Sequence, residues 1–157
     1  MLHSASIVNK NKAYVFCGPS HAGKSTVSRF SDCFKLLSDD YIIIKRKDKK
    51  FFVYGTSLGG EYFKFGKELK PSNTSSELSK IFFLKKASSH RVEIKNSAEA
   101  MSELLKETFF CNDYSKESNS LLIKNFNLLQ DLSRRVNCYN LYFGKNSGFW
   151  DKINKIK

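Results

Sequence analysis

Arginine is scarce in this chain. Of its 157 residues, 27 are Lys or Arg, and only five of these are Arg. Recognition of anions by paired guanidinium forks is therefore limited. The four cysteines, Cys17, Cys33, Cys111 and Cys138, form no C-x-x-C pair. That excludes the usual zinc and dithiol spacings, and the thiols read as small core residues or bystanders. No apolar run approaches the roughly 18 residues of a membrane span, and no signal-peptide pattern opens the chain. A reduced, cytoplasmic protein with no membrane partner is the expectation. Repeats, linkers and low-complexity tails are lacking too, so residues 1–157 are expected to form one domain.

What the chain has in excess is lysine. The formal net charge is +12. Such a charge can mark a nucleic-acid binder. Here the lysines are scattered, and aromatics do not interleave with them as they do in single-strand binders. Nucleic acid is accordingly not the expected partner. The densest run, "KRKDKK" at 45–50, lies between two strand-like runs and reads as a hairpin turn.

Strands dominate the first half. "ASIV" (5–8) and "AYVFC" (13–17) flank a turn over "NKNK". "KSTVSRFSDCF" (24–34) has Val27, Phe30 and Phe34 at helical spacing. "YIIIKR" (41–46) and "KFFVYG" (50–55) form a second hairpin around Asp48, and loops follow at 56–63 and around Pro71. In the second half, 80–86 and 90–95 read as strands. Ser97 is expected to cap a helix over 98–110 that buries Ala100, Met101, Leu104, Leu105 and Phe109. A longer helix over 117–135 should bury Leu121, Leu122, Leu128, Leu129 and Leu132. A strand at 138–143 and a helix at 149–156 close the chain. Together these predict an α/β domain, a mixed sheet carrying a phosphate loop.

The phosphate loop is the sharpest signal. "GPSHAGKS" fits G-x-x-x-x-G-K-[ST] with Gly18, Gly23, Lys24 and Ser25. The glycines let successive N–H groups face inward as an anion nest, and the helix beginning near Lys24 points its positive end at the same place. Lys24 can bridge phosphates, and the Ser25 hydroxyl can ligate Mg²⁺. A strand leads in and a helix leads out, as the motif requires. The composition alone would produce the pattern in roughly 1% of such chains.

"LLSDD" adds two carboxylates, Asp39 and Asp40, one short element later. A carboxylate at a strand end can complete a Mg²⁺ site in phosphate-loop proteins. Adjacent residues on a strand point to opposite sides, so the two are expected to divide tasks. One serves the metal, and the other takes a proton from an acceptor hydroxyl.

"GPSHAGKST" followed by "LLSDDYIII" resembles HPr kinase/phosphorylase and the wider HPr-kinase-like proteins, whose fold is shared with phosphoenolpyruvate carboxykinases. "LHSASIV" before the loop, and "IFFLKKASSHRVEIKNSAEAMSELLKETFF" and "RRVNCYNLYF" after it, extend the resemblance over nearly the whole chain. The resemblance implies an ATP-dependent kinase acting on a hydroxyl, with Ser of a protein, a peptide or a small metabolite as acceptor. Gly18, Pro19, Ser20, His21, Ala22, Gly23, Lys24, Ser25 and Thr26 would cradle ATP. Asp39 would be the base. Ser25, Asp40 and, more weakly, Glu61 would serve Mg²⁺. His3 would lie near the γ-phosphate. Two features depart from the family. The extra N-terminal domain of full-length HPr kinases is missing, and the glycine-rich signature after the aspartates has no clear counterpart. The acceptor therefore stays open, as does assembly into oligomers. A non-catalytic ATP-binding regulatory or peptide-handling module is the second reading, and a basic nucleic-acid binder the third.

Overall fold

The computed structural model describes residues 1–56, 74–109 and 116–156. In chain order the elements are β1 (Leu2–Asn9), β2 (Lys12–Cys17), α1 (Lys24–Arg29), β3 (Lys35–Ser38), β4 (Tyr41–Lys47), β5 (Lys50–Gly55), β6 (Ser75–Lys86), β7 (Arg91–Lys95), α2 (Ser97–Glu107), α3 (Lys116–Arg135), β8 (Asn137–Phe143) and α4 (Phe149–Asn154).

Two tight hairpins seed the sheet. Asn9 pairs with Lys12, which leaves Lys10 and Asn11 as a two-residue turn with φ of 49° and 61°. Positive φ at both central positions gives the backbone twist that antiparallel strands need. The β4–β5 hairpin turns at Asp48, also at positive φ, where the "KRKDKK" run predicts it.

The expected α/β domain is overturned. β1 pairs with β2 and β4, β4 with β5, β5 with β6, and β6 returns to β2. Five strands thus close into a barrel. β8 and β7 extend the sheet beyond β6, and β3 lies along β1. Among the described residues, strands outnumber helices eight to four, and two of the helices span only six residues. The physical reason is the density of hairpins. Antiparallel neighbours need only short turns, whereas a parallel α/β sheet needs a crossover helix between each pair of strands.

The core lies on both faces of the central strands. Along β2, Val15 and Cys17 enter one apolar cluster and Phe16 the other. β6 does the same with Ile81 and Phe83 against Phe82 and Leu84. The first cluster is covered by Leu104 of α2 and Leu132 of α3. The second is covered by Val27 of α1 and by Phe149 and Trp150 of α4. Trp150 Nε1 donates to Ser31 Oγ at 2.9 Å, which pins the end of α1 to α4.

Several local expectations shift. α1 ends at Arg29 rather than at 34, and Phe30 and Phe34 pack from the turn beyond it. The α2 cap is Asn96, whose side chain accepts from the Glu99 N–H at 2.9 Å, and Ser97 is the first helical residue. Phe109 lies past the end of α2 and is exposed. On α3, Leu129 and Leu132 are buried, but Leu121 and Leu122 are exposed. β6 begins at Ser75, five residues before the predicted strand. Pro71 and the 56–63 loop beyond Thr56 fall outside the described residues.

Candidate functional site

The loop between β2 and α1 lies at the mouth of the barrel, and hairpin register decides what surrounds it. Ser4 pairs with Cys17, the last residue of β2. The next residue outward on β1 is His3, which therefore sits beside the start of the loop. On its other edge, β1 pairs Leu2 with Ile42 and His3 with Tyr41, and the Ser4 N–H donates to Asp40 O at 2.8 Å. The turn between β3 and β4 thus brings Asp39 and Asp40 to the same end of the sheet. The two aspartates occupy a bend and not a strand, so strand alternation does not separate them.

They differ nonetheless. Asp39 is enclosed, with 3% of its surface exposed. Asp40 is more open, and its Oδ1 lies 3.2 Å from His3 Nε2. His3 Nδ1 lies 3.4 Å from Glu107 Oε2, on the last residue of α2. Glu107 escapes sequence reading because no local motif marks it. It arrives through a bridge between Leu2 and Thr108 and a bond from the Phe109 N–H to Met1 O at 2.9 Å.

The loop itself is tightly made. The Ala22 N–H donates to Pro19 O at 3.0 Å. His21 adopts φ 65° and Gly23 φ 111°, and Gly23 leads directly into α1. Pro19, Ser20 and His21 are exposed, whereas Ala22, Ser25 and Thr26 are half-buried. Lys24 is 7% exposed, and its Nζ donates to Gly18 O at 2.6 Å and to Pro19 O at 3.1 Å. Burial holds the Lys24 ammonium below its ordinary pKa, while the negative charges of Glu107 and Asp40 oppose that shift. Cys17, fully buried beneath the loop, has its thiol pushed well up by burial and by Glu107.

A cleft of about 510 Å³ opens beside the loop. Gly23 and Thr26 form one wall, Lys86 and Ser88 another, and Phe143 and Lys145 a third. His90 braces this region. It accepts from the Gly144 N–H at Nδ1 (3.3 Å) and meets Asn146 Oδ1 at Nε2 (2.7 Å).

The fold therefore brings His3, Asp40 and the Lys24 loop together, with Asp39 enclosed next to them. Glu61 lies outside the described residues. Among the described residues, no group of three or more His, Cys, Asp or Glu side chains is gathered to hold a metal. The Ser25 hydroxyl and the Asp40 carboxylate are hard oxygen donors of the type Mg²⁺ accepts, so the donor chemistry fits that ion. No described helix is long and apolar enough to cross a membrane.

A family model described as "SynChlorMet cassette protein ScmC" matches residues 1–157. No curated protein matches the chain. The solved structure of the Hpr(Ser) kinase/phosphatase from Coxiella burnetii is a distant likeness. It has a TM-score of 0.48 and 14% sequence identity, over 97% of this chain and 92% of that one.

Proposed function

The chain belongs to the ScmC family, and we propose that it is an ATP-dependent phosphotransferase that moves the γ-phosphate onto a hydroxyl. The observation that carries the proposal is the His3–Asp40 pair at 3.2 Å, held by strand register beside a glycine loop whose lysine already points into the loop. The Lys24 ammonium now rests on two loop carbonyls. A polyphosphate would draw it off them as a stronger, fully charged partner. The loop N–H groups and the start of α1 would hold the phosphates. The adjoining cleft has the volume for a nucleoside, with Lys86 and Lys145 among its lining residues.

Ser25 and Asp40 would hold Mg²⁺, which when bound supplies positive charge against the phosphate oxygens. Asp39 would take the proton of the acceptor hydroxyl as its oxygen attacks phosphorus and the β–γ bridging oxygen leaves with ADP. His3 would fix the Asp40 carboxylate. Catalysis would come from positioning and charge complementarity more than from covalent chemistry.

The test incubates the protein with γ-labelled ATP, Mg²⁺, free serine and a library of Ser-containing peptides. Label is expected on a hydroxyl. Asp39→Asn should bind ATP as the wild type does and transfer nothing. Transfer at the wild-type rate by that variant would remove Asp39 as the base. ATP binding with no transfer to any acceptor would leave a non-catalytic nucleotide-binding module, and no ATP binding would overturn the proposal.

A further inference from the structure

Glu107 is a carboxylate in an unfavourable place. It is the last residue of α2, where the helix presents the negative end of its dipole. Its side chain is only 9% exposed. A buried carboxylate in such a position is costly unless a specific partner offsets the loss of water. Helix stability does not explain it, since the helix would do better with a lysine there. What Glu107 faces does explain it. His3 Nδ1 lies 3.4 Å away, and the opposite nitrogen of the same ring faces Asp40 at 3.2 Å. Thr108, the next residue, is clamped by its bridge to Leu2 and by its hydroxyl donating to Leu104 O at 2.7 Å. The carboxylate is thus delivered to His3 by backbone pairing and not by a mobile side chain alone.

We propose that Glu107 is a positioning residue. It orients the His3 ring so that Nε2 faces Asp40. This rests on the phosphotransfer reading for its consequence, but not for its geometry. An imidazole with one nitrogen tied to a fixed carboxylate presents the other nitrogen in a single direction. Without Glu107 the ring can turn about its χ angles, and Asp40 loses its fixed partner.

This role predicts different responses for binding and for turnover. Glu107→Gln removes the charge and keeps the shape. ATP affinity should be kept, because Glu107 contacts His3 and not the loop that would hold the phosphates. The transfer rate should fall about 10- to 100-fold, the range seen when an orienting partner is removed. An element that merely held the fold would weaken both. A second measurement needs no nucleotide. In ¹⁵N-labelled protein, the imidazole nitrogens of His3 should shift in Glu107→Gln, while those of His21 and His90 stay in place. Glu107→Asp keeps the charge and should restore part of the rate. Unmoved His3 signals, or a rate and an affinity that fall together, would overturn the proposal. If the wild type transfers no phosphate, the phosphotransfer reading fails, and the His3 signals still decide whether Glu107 orients the ring.

Discussion

The α-carbon of Gly23 faces the ring of Phe143: a Cβ built there would come within 2.7 Å of Phe143 Cζ. The same glycine sits at φ 111°, a conformation that side-chain-bearing residues rarely adopt. Gly23→Ala therefore meets two obstacles, backbone strain and a buried aromatic ring. Loss of stability on the order of 1–3 kcal/mol is expected from the strain, read as a lower urea midpoint. On the proposed phosphotransfer reading, ATP affinity should weaken as well, because the loop N–H groups turn with this residue. An unchanged midpoint would show that Phe143 yields freely.

The barrel seam carries an ion cluster whose pH response has a definite sign. Glu77 of β6 lies 2.7 Å from Lys12 of β2 and 3.0 Å from Lys50 of β5. Its hydrogen bond with Lys12, then that with Lys50, holds the carboxyl below its ordinary pKa. The folded chain therefore releases this proton more readily than the unfolded chain does. The stabilisation is present above the unfolded carboxylate pKa and is lost as pH falls through the lowered folded value. Stability measured from pH 7 down to pH 3 should fall less steeply in Glu77→Gln than in the wild type. The difference should shrink at 1 M salt, where exposed charges are screened. Parallel curves at low salt would remove the seam from the acid limb.

Two buried serines should respond in opposite directions. Ser6 Oγ finds no partner among the described residues. Removing it in Ser6→Ala should leave stability unchanged or raise it by about 1 kcal/mol. Ser31 Oγ donates to Val27 O at 2.6 Å and accepts from Trp150 Nε1. Ser31→Ala leaves a buried indole N–H unpaired, which costs about 1–3 kcal/mol. Thermal melts of the two variants side by side provide the measurement. Equal shifts would contradict this assignment of their hydrogen bonds.

The thiols should divide by burial. Cys138 is buried and its pKa is pushed up to about 12; Cys17 is raised still more clearly by its enclosure. Cys33 is exposed. Because the thiolate is the reactive form, iodoacetamide at pH 8 should modify Cys33 well before Cys17 or Cys138, as mapped by peptide mass spectrometry. Early modification of Cys17 would mean that the loop above it opens.

The legible parts of this molecule are those set by neighbours in the chain. Asn11 and Asp48 announce their turns because positive φ favours short polar side chains. Gly23 and Lys24 announce a loop between strand and helix because the motif is itself a local shape. His3 and Asp40 are singled out from sequence, and register pairs them. What sequence does not carry is which strand lies beside which. The β2–β6 pairing that closes the barrel joins Val15 to Ile81, and nothing in either stretch names the other. The α/β expectation failed at that point. The apolar pair before Asp39 and Asp40 predicts a strand through them, but the chain bends there. Leu121 and Leu122 match the helical period and still lie exposed, since period fixes a face and not what covers it. Glu107 belongs to the site through a bridge between chain segments a hundred residues apart.

Barrel closure also decides which strands keep an open edge. A strand whose two sides are both paired offers no template for another molecule, so the five closed strands are inert to stacking. Among the described residues, β7 pairs only with β8, which leaves one of its sides bare. Ile94 on that strand is 78% exposed, an invitation to sticking. Arg91 and Glu93 lie exposed on the same strand, with Arg91 held over the Tyr142 ring at 3.5 Å, while Lys95 is turned toward Glu99 and Glu103 of α2. Charges beside an exposed apolar residue act as gatekeepers against aggregation, a need that arises at β7 because it lies outside the closed barrel.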